Sequence, residues 1–202
     1  MDSKRAVKEF RAIKKYSDRT NIRLAAEGWN RPWKILIATI MSAQTRDEVT
    51  INVATKLFRK FRTPKKMGEA KLSEIKEVMK SINYFKTKSK NIKGTCKIIA
   101  KKGLPNNLED LVKLPGVGRK TANVFLTEIG KKQAIGVDTH VYRISHKMKW
   151  SNGKTPNKVE EDLEKLFPKR YWKKINSTLV RFGKEYGRSR KKEDEILRGI
   201  KV

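Results

Sequence analysis

Cysteine is all but missing from this chain. The single thiol, Cys96, excludes an internal disulfide and any metal site built from several cysteines, and its expected place is helix packing. Long apolar runs are missing too. Nothing approaches the ~18 residues of a spanning helix, so no membrane partner is expected. The opening residues, MDSKRAVKEFRAIKKY, are polar and charged and read as no secretory signal. Alternating strand patterns, internal repeats and low-complexity linkers are also absent. Acidic residues are scarce. The 202 residues hold 21 Asp and Glu against 50 Lys and Arg, a formal net charge of +29. That imbalance points to a polyanionic partner, nucleic acid before membrane, although a general lysine bias accounts for part of it.

What is present is helical periodicity, in a chain long enough for one large domain or two small ones. Residues 2–16 predict a helix with Ala6, Phe10 and Ile13 on one face. Residues 17–31 predict a short helix or loop. Asn30 and Pro32 signal the start of a helix over 32–43 that is apolar on nearly every side, as a helix buried mid-domain must be. Further helices are expected over 46–61, after Thr63-Pro64, over 74–82 capped by Ser73, over 88–101 capped by Thr87, and over 108–113 capped by Asn107. Beyond residue 140, Asn157 is expected to cap 158–167 and Pro168 to begin 169–182. The tail, 183–202, predicts a last helix or a frayed end. The reading is all-α.

The stretch LPGVGRKTANVFLTEIGKKQAIGVDTH, residues 114–140, concentrates the chemistry. In Pro115-Gly116-Val117-Gly118 the glycines permit positive φ and leave no side chain to block close approach. Arg119–Ile129 then reads as a helix stopped by Gly130. A glycine turn opening a helix presents backbone N–H groups at the positive end of the dipole, a phosphate seat, with Arg119 and Lys120 beside it. A plain helix-turn-helix corner has the same pattern. Lys120 in the first helical turn is unfavourably placed against the dipole, and a free amine there is a nucleophile; an ordinary surface lysine fits the same position. Asp138 reads as the N-cap of a helix running to about Trp150, with Val141, Ile144 and Met148 on one face. An aspartate held there can also steady a cation or activate water.

LPGVGRKTANV followed by VDTHVYR resembles the endonuclease III branch of the helix-hairpin-helix (HhH-GPD) DNA glycosylases. The likeness extends through PWKILIATIMSAQT and SINYFKTKSKNI and covers about Asn30 to Gly187. It implies two helical domains. Residues 25–135 would form a six-helix domain carrying the hairpin, and 1–24 with 136–202 a discontinuous second domain. DNA would lie in the cleft between them, with Lys120 and Asp138 facing each other. The partner implied is damaged double-stranded DNA, bound by a monomer inside the cell.

The resemblance also implies a mechanism. The damaged nucleotide is flipped out of the duplex, and Gln44 matches the residue the family inserts in its place. Tyr84 stands where the family usually has an aliphatic wedge. The Lys120 amine would attack the sugar C1′, forming a Schiff base that permits β-elimination, with Asp138 stabilising positive charge and helping to deprotonate the lysine. Gly116, Val117, Gly118 and Arg119 would hold phosphate, and His140 would orient groups near the pocket. No metal or nucleotide is required; a monovalent cation on the hairpin carbonyls would be structural. The chain departs from the family at its end. Most members carry C-x6-C-x2-C-x5-C, holding an iron–sulfur cluster. Here the first three positions fall on Gly187, Asp194 and Leu197 and the fourth beyond Val202, so no cysteine ligand is available. Lys184, Arg188, Arg190, Lys191 and Lys192 are the expected phosphate contacts in its place. Oxidised pyrimidines are the first expected substrate. Mismatched uracil or thymine, 8-oxoguanine, and a non-catalytic DNA-binding module are the alternatives.

Overall fold

The computed structural model describes residues 2–131 and 134–201, and among these every regular element is a helix. In chain order they are α1 (Ser3–Ser17), α2 (Pro32–Ser42), α3 (Asp47–Lys60), α4 (Pro64–Glu69), α5 (Leu72–Met79), α6 (Phe85–Lys102), α7 (Leu108–Leu111), α8 (Arg119–Glu128), α9 (Thr139–Lys147), α10 (Pro156–Leu166), α11 (Lys169–Glu185) and α12 (Arg190–Ile200). They fall into two units, Arg23–Lys132 and the pair of segments Met1–Ile22 and Gln133–Val202.

In the unit Arg23–Lys132 the organising element is α2. Ile35, Leu36, Ile37, Ala38, Ile40 and Met41 are all buried, so the helix has no wet face. It packs on α3, α6 and α8. Burying each large side chain contributes about 1.5–3 kcal/mol before entropy is counted. Two edge-to-face contacts, Trp29–Phe58 and Trp33–Phe58, close the end of this core nearest the start of α2. In the other unit Phe10 of α1 meets Phe167 and Tyr171, and α1 lies along α11. Segments more than a hundred residues apart in sequence thus share one core. It also contains Ile135, Val141, Ile144, Leu163, Leu179, Phe182 and Leu197.

The start of α2 at Pro32 is the expected one, with Arg31 as N-cap and the proline, its φ fixed, in the first helical position. Three other helix starts differ from the sequence expectation, each for a local reason. α5 begins at Leu72, two residues earlier than expected, with Lys71 rather than Ser73 as cap, because the Glu74 carboxylate accepts from the Lys71 backbone N–H at 3.0 Å. α10 is capped by Thr155, whose hydroxyl accepts from the Lys158 N–H, with Pro156 behind it, so Asn157 lies within the helix. α6 starts at Phe85, well before Thr87, with Tyr84 as its cap in the left-handed region. The tail forms α12, capped by Ser189.

Candidate functional site

In the unit Arg23–Lys132 the hairpin runs from α7 through the turn to α8. Asn107 caps α7 by accepting from the Asp110 N–H at 2.8 Å. Val117 is buried and pins the turn into the core. The turn is tied to α6 by the Thr95 hydroxyl, which donates to the Pro115 carbonyl at 2.8 Å. The two glycines serve different ends. Gly116 has φ +78, and a Cβ there would meet Asn91 at 3.0 Å, so both conformation and space demand glycine. Gly118 has φ −89, which any residue adopts, and a Cβ there would meet nothing within 4 Å. Its value is an open approach to the start of α8, where it is the N-cap and no side chain caps the helix. Arg119 is exposed and Lys120 half-buried, both in the first turn of α8. This is the geometry of an anion seat: backbone donors, the positive end of a dipole and cationic side chains.

Gln44 and Tyr84 come together in the same unit. Both are exposed, Tyr84 at 67 %, and both are non-glycine residues at positive φ, 53° and 58°. Such a conformation costs about 1–2 kcal/mol per residue, so the surroundings must impose it. Two bonds from Asn83 join the loops: its side-chain amide donates to the Gln44 carbonyl and its backbone N–H to the Thr45 hydroxyl at 3.3 Å. The Lys88 ammonium, only 7 % exposed, donates to the Met41 and Ala43 carbonyls and the Thr45 hydroxyl. Burial pulls this amine down to about 8. Sequence reasoning missed Lys88 and Asn83. One signal was available: Lys88 lies four residues before Ile92, on the face continued by Cys96 and Ile99.

In the other unit Asp138 caps α9. One carboxylate oxygen, Oδ1, accepts from the backbone N–H groups of His140 and Val141 at 3.0 and 2.9 Å, which fixes the plane of the group and leaves Oδ2 outside the cap. The link before it is held by Asn176, whose amide donates to the Gly136 carbonyl at 2.6 Å. His140 is half-buried. Burial lowers its pKa, and the nearby charges of Arg143 and Lys184 lower it further while Asp138 and Glu193 oppose them; the ring is neutral at pH 7. An Arg143 Nη2 donor lies 3.4 Å from His140 Nδ1, which makes Nδ1 the acceptor and places the ring proton on Nε2.

Behind Arg143 lies a buried ion pair that the sequence did not reveal. Glu193 of α12 is fully buried and accepts from Arg143 at 2.7 and 3.1 Å and from Lys147 at 2.6 Å. Burial alone would raise the Glu193 carboxyl, but the Arg143 and Lys147 bonds outweigh it and hold the group below its usual range. The same part of the chain decides whether a cysteine-held cluster fits. A Cβ at Gly187, the first ligand position of the resemblance, would meet the Gly183 carbonyl at 2.3 Å and Arg143 at 2.7 Å. Cys96 is buried on α6 against Met67, in the other unit. Among the described residues no group of three or more His, Cys, Asp or Glu is placed to hold a metal. The residues present therefore do not fit such a cluster. Arg188, Arg190, Lys191 and Lys192 are exposed on and before α12. None of the described helices is long and apolar enough to cross a membrane.

Comparison with known proteins gives the family and the fold. Residues 37–169 match the family described as HhH-GPD superfamily base excision DNA repair protein. Endonuclease III of Thermotoga maritima is 42% identical over 156 residues, covering 76% of this chain and 73% of that protein. Endonuclease III of Rickettsia prowazekii is 37% identical over 167 residues, covering 81% and 78%. A solved structure of a trapped endonuclease III–DNA covalent intermediate, an estranged-adenine complex, superimposes with a TM-score of 0.85 at 30% identity, over 94% of this chain and 89% of that one.

Proposed function

The chain belongs to the HhH-GPD superfamily of base excision DNA repair proteins, and from that premise we propose that it removes oxidised pyrimidines from duplex DNA through a covalent lysine intermediate. It is a DNA glycosylase and abasic-site lyase of the endonuclease III kind. The observation that carries the finer reading is the half-buried Lys120 in the first turn of α8, behind a glycine turn that no side chain caps.

The phosphate flanking the lesion lies on the turn Gly116-Val117-Gly118, with Arg119 beside it. The flipped nucleotide presents C1′ to the Lys120 amine. The nitrogen lone pair forms the C1′–N bond, the glycosidic bond breaks, and the base departs with that electron pair. Opening of the sugar gives an iminium. Loss of a C2′ proton then expels the 3′ phosphate oxygen, and water releases the lysine. Asp138, fixed through Oδ1, offers Oδ2 to positive charge developing on the sugar and to the proton lost from Lys120. His140 donates through Nε2 to the substrate backbone. Gln44 and Tyr84 fill the space the nucleotide leaves and part the neighbouring bases. The chemistry draws on no metal and no nucleotide cofactor. A monovalent ion at the hairpin would take second lone pairs of Leu114 and Pro115 carbonyls, which already accept from Val117 and Thr95, and would brace the turn only. The enzyme acts as a monomer where the cell keeps its DNA, and residues 25–135 and 1–24 with 136–202 are its working domains.

Borohydride trapping tests this reading. Wild type and Lys120→Gln are compared on a duplex carrying thymine glycol and on an abasic-site duplex. A cross-link on both, lost in the variant while its DNA affinity is kept, is expected. Trapping by Lys120→Gln at the wild-type level overturns the lysine assignment. Trapping on the abasic duplex alone keeps the lyase and overturns the substrate class.

A further inference from the structure

Gln44 and Tyr84 reach the surface from two different loops, yet one buried cation ties both. Lys88 belongs to α6, the helix that Tyr84 caps. Its ammonium crosses to the end of α2 and donates to the carbonyls of Met41 and Ala43 at 2.7 and 2.5 Å and to the Thr45 hydroxyl at 3.3 Å. Three donors thus meet three acceptors. Met41 is in the last turn of α2 and Ala43 is its C-cap, so their carbonyls are ones the helix itself leaves without donors, and a cation there also answers the negative end of the dipole. The Thr45 hydroxyl is shared: it accepts from Lys88 and from the Asn83 backbone N–H, while the Asn83 amide reaches the Gln44 carbonyl. Gln44 and Tyr84 flank this network on either side, each at positive φ.

We infer that Lys88 is a positioning residue that locks the Gln44 loop to the Tyr84 loop, so that the two side chains meet the base stack as one rigid two-pronged wedge. The inference rests on the proposed role of Gln44 and Tyr84 in DNA and adds what holds them. Without the lock, two residues in an unfavourable backbone conformation relax independently, and the wedge must be ordered at the moment of binding, a cost set against each flipping event. Lys88 touches neither sugar nor base, so chemistry on a nucleotide that needs no flipping is indifferent to it.

The test compares nicking of an abasic site in a duplex with nicking of the same site in a single strand, which presents no stack to part. For full-length Lys88→Met, which keeps the length and loses the donors, duplex nicking is expected to fall about 10- to 100-fold and single-strand nicking to stay within about twofold of wild type. An unchanged duplex-to-single-strand ratio overturns the lock, as does an equal loss on both. Asn83→Ala, at an exposed position, cuts the same network from the other side. It should lower the ratio in the same direction, and it carries the test if Lys88→Met does not fold. The double variant Gln44→Ala/Tyr84→Ala separates the two ideas. If its ratio equals that of wild type, the wedge reading itself fails; if its ratio falls and that of Lys88→Met does not, only the lock fails.

Discussion

At position 183 the missing side chain does the positioning. A Cβ there would lie 2.4 Å from His140 Nδ1 and 3.1 Å from Arg143 Nη2. The helix α11 comes this close to α9 only because residue 183 is glycine, and the imidazole is wedged against its backbone. Nothing about φ requires glycine here; the demand is for space. Gly183→Ala is therefore expected to push the ring of His140 off its Arg143 contact and to destabilise the fold by about 1–3 kcal/mol, the usual cost of overpacking. Urea unfolding reads the stability, and the histidine Cε1–H proton resonance reads the ring. A variant as stable as wild type, with that resonance unmoved, contradicts the packing argument.

The helix α12 is tied to its unit by both apolar and charged contacts. Its apolar residues Leu197 and Ile200 enter the core, and Glu193 fastens it to α9 through Arg143 and Lys147, with Asp194 adding a second contact to Lys147 at 2.7 Å. The element capped by Asp138 is thus braced by an ion pair in the region where the resemblance places a cluster. Glu193→Gln keeps the shape and leaves two cations without their counter-charge, a loss of about 3 kcal/mol at neutral pH. The pH dependence follows from the sign of the shift. The Glu193 carboxyl is held below its usual value in the folded chain, so its contribution is present above the unfolded value near 4.5 and is lost as pH falls through the lower, folded one. The gap in unfolding free energy between wild type and Glu193→Gln should be full at pH 7 and shrink below about pH 4. A gap that does not change with pH would show that the pair is not what holds α12.

Across the whole molecule a minority of the scarce acids goes inside. Glu9, Asp47, Glu160 and Glu193 are all buried, four of 21, and Glu9 pairs with Arg5 and accepts from the Trp150 indole at 2.8 Å. Each acid drawn inward leaves the surface more uniformly basic than composition alone indicates. Such a surface binds duplex DNA largely through phosphate, with release of counterions, so affinity should drop steeply with salt. Between about 50 and 200 mM salt a loss of at least ~10-fold is expected, corresponding to two or more neutralised phosphates. Fluorescence anisotropy with an undamaged duplex measures it, and a flat response would rule out phosphate as the main source of affinity.

The sequence by itself determined the helices and the glycine turn that opens α8, and it named the candidate chemical residues. Apolar composition gives α2 its buried character, Asn107 and Asp138 are caps wherever their segments pack, and the proline-glycine turn before Arg119-Lys120 opens a helix. These are local facts, fixed by backbone sterics and by donors within a turn or two. The tertiary structure alone decided which charges go inside. Lys86, Lys88, Lys90 and Lys93 look alike in sequence, yet Lys88 is locked because the end of α2 brings it three acceptors. Glu193 reads as one acid in a charged tail until α9 supplies Arg143 and Lys147. Tyr84 is a wedge candidate by resemblance alone; its positive φ and the tie of its loop to the one that holds Gln44 appear only in the fold. A buried charge depends on partners distant in sequence, so it leaves no periodic mark, and the fold has to be formed before the partner is known.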